Sequence, residues 1–114
     1  MTPLDLFAGV RVSDYDRAVA WYRQLLGAEP SFLPNDTEAV WQLGEHSWLY
    51  VDARLPAHAG HAVHTIFVDD LEAVVEQTAA RGIEPAGEEA YPNGVRKVTY
   101  RDADGNEIGF AGAQ

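Results

Sequence analysis

Cysteine is absent from this 114-residue chain. That excludes a disulfide framework, a thiolate nucleophile, a thiolate zinc site and an iron–sulfur cluster. Basic residues are scarce: eight Lys and Arg stand against eighteen Asp and Glu, for a formal net charge of -10 and a pI near 4.6. Such a surface repels phosphate backbones and anionic lipid, so no nucleic acid and no membrane is expected as a partner. No apolar run approaches the length of a membrane-spanning helix, and the opening MTPLDLFAGVRV lacks the basic segment and apolar core of a secretion signal. The expected location is therefore cytoplasmic, where acidity also serves plain solubility. Hydrophobic residues, at 46%, are too many for a disordered chain. The length suits a single domain over residues 1–114, and burial at this size is marginal enough that pairing into a homodimer is expected.

The informative feature is internal. Residues 12–30 read VSDYDRAVAWYRQLLGAEP and residues 68–85 read VDDLEAVVEQTAARGIEP. Val12, Asp14, Val19, Gly27, Glu29 and Pro30 align on Val68, Asp70, Val75, Gly82, Glu84 and Pro85 with a single gap. A repeat of about 55 residues means duplication of a whole supersecondary unit, with copies at about 5–54 and about 61–113. In each copy a capping-box spacing, Ser13 with Asp16 and Asp69 with Glu72, predicts a helix start. Apolar side chains then recur with a 3.6-residue period at Tyr15, Ala18, Val19, Tyr22 and Leu26, and at Leu71, Val74, Val75 and Ala79. Gly27 and Gly82 stand where left-handed caps end those helices.

Strands are expected at 7–12 and 63–68 before the helices. Hairpins follow at 39–43 with 47–52, and at 95–101 with 107–111, the last turned by DADGN. Short strands near 31–33 and 89–91 complete a β-α-β-β-β order in both halves. Asp102, Asp104 and Gly105 have some likeness to a calcium loop, but the glycine stands at position 4 where an EF-hand needs it at 6, so a turn is the better reading. Alternation puts Ala8, Val10, Val12, His64, Ile66 and Val68 under the helices. Phe7, Gly9, Arg11, Val63, Thr65 and Phe67 then point to the other side, where the two sheets are expected to enclose a cavity for a small molecule.

The segments VRVSDYDRAVAWYRQLLGAEP, FVDDLEAVVEQTAARGIEP and YPNGVRKVTYRDADGNEIGF together span almost the whole chain, and they resemble the vicinal oxygen chelate superfamily, the glyoxalase, bleomycin-resistance and extradiol-dioxygenase group. The resemblance implies an α+β fold of two βαβββ modules forming a cupped mixed sheet, often dimeric. It implies activities ranging from lyases, isomerases and dioxygenases to metal-free antibiotic binding. Metal-using members draw one ligand from each of four strands. Carried onto this chain, those positions are Phe7, then Trp48 or Tyr50, then Val63, then Gly109. None is an imidazole or a carboxylate, so the resemblance carries the fold and argues against a metal or other cofactor. A one-residue slip that brought His64 into the third position would turn Ile66 and Val68 away from their helix. The irregular spacing of His46, His58, His61 and His64 suits exposed, idle side chains better than a separate metal cluster.

The remaining candidates are ligand contacts. Phe7, Phe67, Trp41, Trp48 and Tyr50 form an aromatic supply for stacking on a flat or apolar molecule, against the alternative that the tryptophans are core. Arg11 is either a solvated strand end or the partner of a ligand carboxylate or phenolate. Lys97 and Thr99 alternate onto the cavity side, Arg96 suits a salt bridge as well as ligand contact, and Tyr91 with Asn93 could form a lid. No catalytic residue stands out: there is no nucleophile elbow, and His46, Glu38 and Tyr50 have no visible activating partner. The expected function is metal-free binding or sequestration of a small planar or apolar organic molecule. A glyoxalase-like lyase or isomerase working without the usual metal site is the alternative, and a structural or regulatory interaction module the third.

Overall fold

Asp14 opens the first helix: its carboxylate accepts from the Arg17 amide at 3.2 Å, and the helix α1 runs Tyr15–Leu26. Asp70 does the same for α2, Leu71–Ala80, accepting from the Ala73 amide at 3.1 Å. The caps lie one residue beyond the Ser13 and Asp69 predicted from spacing. Ser13 is engaged elsewhere, donating through its hydroxyl at 2.6 Å and its amide at 3.0 Å to the Asp104 carboxylate. Gly27 ends α1 at φ 68°, a left-handed conformation in which its amide reaches the Arg23 carbonyl. Gly82 at φ 90° follows α2, which is capped by Arg81.

The computed structural model describes residues 1–113. Its strands are β1 (Leu6–Arg11), β2 (Phe32–Asn35), β3 (Glu38–Gly44) and β4 (Ser47–Asp52), then β5 (Val63–Phe67), β6 (Gly87–Ala90), β7 (Val95–Arg101) and β8 (Glu107–Ala113). They form two four-stranded mixed sheets, ordered β1-β4-β3-β2 and β5-β8-β7-β6, so both copies of the repeat have the same βαβββ topology. In each, the first strand runs parallel to the last and the other pairs are antiparallel. The fold is α+β in two such modules.

Both helices lie on one side. Val10, Val12, Tyr22, Leu25, Trp41, Leu49, Val51, Val98, Tyr100 and Ile108 are buried between helices and sheets, each large aliphatic contributing about 1.5–3 kcal/mol by leaving water. The Arg81 side chain ties the layer together by donating to the Gln24 and Leu25 carbonyls at the end of α1. The dimensions, 41 × 38 × 24 Å, are those of one helix layer over one sheet layer.

The two sheets therefore stand edge to edge along β1 and β5, and do not face each other across an enclosed cavity as expected. Among the described residues no backbone ladder closes that seam. The His64 ring bridges to the Gly9 carbonyl at 2.9 Å, and the Arg11 carbonyl accepts from the Gly60 amide at 3.1 Å. Asn106, fully buried, donates to the same Arg11 carbonyl at 2.8 Å and to Asp102 at 2.9 Å, and accepts from the Ala62 amide at 3.0 Å. The DADGN segment is thus a turn, as predicted, and also the clasp between the modules. Among the described residues no helix is long and apolar enough to cross a membrane.

Candidate functional site

The face away from the helices is cupped and open. Strand alternation places Phe7, Gly9 and Arg11 of β1 there, with Trp48, Tyr50 and Asp52 of β4 beside them through the pairs Phe7 with Trp48, Gly9 with Tyr50 and Arg11 with Asp52. Val63, Thr65 and Phe67 of β5 continue the face, and Val63 and Phe67 are 63% and 69% exposed.

Aromatic residues concentrate in the first module. The rings of Phe7 and Trp48 lie parallel, 5.4 Å between centroids and 3° between planes, and Phe32 meets Trp48 edge-on at 6.0 Å. Phe32 was not singled out in the sequence, because it stands on a short outer strand whose alternation is too brief to read. The Trp48 Nε1–H has no hydrogen-bond partner within the described residues, although the atom itself is shielded from water. Such a donor carries a desolvation cost until an acceptor reaches it.

Trp41 departs from the expectation that it lines this face. Its register partner is Leu49, so it points under α1, is 1% exposed, and donates its indole N–H to the Ala28 carbonyl at 2.9 Å. It belongs to the core. Tyr91 also stands apart from the seam. It is the first residue of the β6–β7 turn, its hydroxyl held by Glu89 at 2.9 Å, at the outer margin of the second sheet. Arg96 is engaged by Glu72 and Glu88, the salt-bridge alternative.

The repeat decides which residue is the second of the four strand positions. With Val12 aligned on Val68, Phe7 corresponds to Val63 and Gly9 to Thr65. Register pairs Gly9 with Tyr50 and Thr65 with Gly109, so Tyr50 is the counterpart of Gly109 and Trp48 is not. The set is Phe7, Tyr50, Val63 and Gly109, which offers a divalent ion neither nitrogen nor carboxylate donors and so does not fit one. Tyr50 instead lies flat across Gly9: a β-carbon there would come within 2.6 Å of the Tyr50 hydroxyl oxygen. Lys97 lies across buried Gly109 in the same way, its Cε 2.6 Å from where a β-carbon would stand.

Beside Tyr50 the face deepens into a cavity of about 430 Å³, lined by Gly9, Arg11, Tyr50, Asp52, Arg54, His58, His61 and neighbouring backbone. Arg54 forks onto Asp52, with contacts of 2.7–3.1 Å, and those hydrogen bonds hold the Asp52 carboxyl below its ordinary value against the opposing effect of burial. Arg11 adds positive potential on the same carboxylate but makes no ion pair within the described residues. Asp52, Arg54, His58 and His61 were not anticipated here. The linker that carries three of them folds back over the end of β1 through the positive φ of Gly60 and His61, which no local pattern announces.

The family model "Glyoxalase/Bleomycin resistance protein/Dioxygenase superfamily" matches residues 4–110. No curated protein matches the chain. Among solved structures, a glyoxalase/bleomycin resistance protein from Catenulispora acidiphila DSM 44928 is 58% identical, covering 97% of this chain and 99% of that one with a TM-score of 0.92. A lactoylglutathione lyase from Agrobacterium tumefaciens is 21% identical over 94% of this chain and 91% of that one, with a TM-score of 0.73. TioX from Micromonospora sp. ML1 is 20% identical over 96% and 98%, with a TM-score of 0.77. The last two are alike in fold alone.

Proposed function

Because the chain belongs to the Glyoxalase/Bleomycin resistance protein/Dioxygenase superfamily yet has Phe7, Tyr50, Val63 and Gly109 at the strand positions where metal-using members hold their ion, we propose that it binds a small planar organic molecule without a metal. The observation that carries this reading is the Phe7–Trp48–Phe32 cluster on the open face, next to the cavity reached by Tyr50 and Arg11. A flat ring stacks on this cluster and gains about 0.5–1.5 kcal/mol beyond area burial for each well-placed aromatic pair. Arg11 and Tyr50 orient its polar edge. No covalent step is required. The exposed apolar residues around the site are covered by a second copy of the chain, which narrows the open face into a cleft.

The test is an intrinsic fluorescence titration of chelator-treated protein with planar aromatic compounds, with product analysis of the recovered compound. Saturable quenching and unchanged compound are expected. Absence of saturation across planar compounds overturns binding on this face, and chemical conversion replaces sequestration by the metal-independent lyase or isomerase reading.

A further inference from the structure

Eight Lys and Arg serve eighteen carboxylates in this chain, so a cation left without one is conspicuous. Arg23, Arg54, Arg96 and Arg101 each pair with a carboxylate, and Arg81 is spent on helix carbonyls. Arg11, Arg17 and Lys97 have no such partner within the described residues, and two of these three, Arg11 and Lys97, stand on the cupped face. They are not equivalent. Arg11 is exposed at the end of its strand, where water screens its charge. Lys97 is half-buried, its stem laid over Gly109 and flanked by Thr99, with its register partner Ala111 on β8.

The direction of that stem matters. Lys97 crosses from β7 over β8 toward β5, and Tyr50 crosses from β4 over β1, so ammonium and phenol hydroxyl approach the β1–β5 seam from opposite sides. Both glycines are required for this, since a side chain at either would occupy the same space. The seam thus receives a fixed positive charge and hydrogen-bond donors where the family's metal-using members place an ion. The stem packed over Gly109 restricts where the Lys97 ammonium can stand, and a charge-assisted hydrogen bond from it to an anionic oxygen is stronger than one between neutral groups.

Resting on the proposal that a planar molecule occupies this face, we infer that Lys97 is its anion anchor and that the molecule is an aromatic acid, its ring on Trp48 and its ionised carboxyl or phenol oxygen at the Lys97 ammonium. Calorimetric titration with 1-naphthoate and its neutral counterpart 1-naphthamide tests this. The wild-type chain binds naphthoate at least tenfold more tightly, as expected of a charge-assisted hydrogen bond. Lys97→Met loses that preference, Lys97→Arg keeps most of it, and Arg17→Met, which removes an exposed cation of α1 outside the site, changes it by less than about threefold.

Lys97 is the only lysine of the chain, so reductive methylation with a ¹³C label gives it a single dimethylamino signal, beside that of the N-terminal amine, without mutation. Its dimethylamino signal moves on adding naphthoate and not on adding naphthamide. If both compounds bind equally, or the preference survives in Lys97→Met, or the signal stays still while naphthoate binds, the anchor is refuted and planar binding stands. If neither compound binds, both fall.

Discussion

Replacing Asn106 by Ala removes the clasp between the modules. The Asn106 side chain is fully buried, and its loss leaves the Ala62 amide without its acceptor and strips one donor from buried Asp102. The Arg11 carbonyl retains the Gly60 amide. Each buried group left unsatisfied costs about 1–3 kcal/mol, so the variant loses about 3 kcal/mol in total. For a domain of this size about 1 kcal/mol corresponds to about 4 °C in Tm, which puts the expected fall near 12 °C. Thermal melts followed by circular dichroism and calorimetry measure it, with Asn35→Ala as a control: that side chain is exposed, and its loss shifts Tm by no more than about 2 °C. Asn106→Asp is worse at neutral pH than Asn106→Ala, because it sets a second carboxylate against Asp102. A fall below about 3 °C for Asn106→Ala refutes the assignment of Asn106 as the buried group that satisfies the Ala62 amide and Asp102.

Further expectations concern the site. Trp48→Phe removes most of the ligand-dependent fluorescence change and Trp41→Phe leaves it intact, since only Trp48 lies on the open face; the reverse pattern places the ligand under the helices. Arg54 holds the Asp52 carboxyl below its ordinary 3.8, so that stabilisation is present above the unfolded value and disappears as pH falls through the folded one. Arg54→Met is therefore less stable than wild type near pH 6, and the gap closes as pH falls below the unfolded value and through the lowered folded one; a gap independent of pH contradicts the pairing. If, as proposed, a second copy covers this face, the chain is expected to sediment as a dimer, and Phe67→Asp, placing charge on a 69% exposed apolar position, to shift it to monomer. A wild-type monomer at micromolar concentration removes the second copy from the account.

Much of this architecture was legible before any coordinate. The repeated VSDYD and VDDLE segments, the helical stripes and the DADGN turn fix both modules, because local periodicity and turn chemistry act over a few residues. The helix starts were misplaced by one position, since Ser13 has a long-range partner, Asp104, that spacing alone does not reveal. Strand alternation put Phe7, Tyr50, Val63, Lys97 and Gly109 on the correct face. It was misapplied at Trp41, whose facing depends on pairing with Leu49 across the hairpin. The edge-to-edge placement of the modules was not readable, because it rests on single side chains, His64, Arg81 and Asn106, whose partners are remote in sequence. The linker residues around the cavity escaped for the same reason.

The most direct test of metal-free aromatic binding is an electron-density map of chelator-treated protein soaked with 1-naphthoate, with elemental analysis of the same crystals. The account predicts the ring against Trp48 and Phe7, the carboxylate at the seam, and no stoichiometric metal. A metal ion held between the two modules, or a ligand bound away from the cupped face, contradicts it.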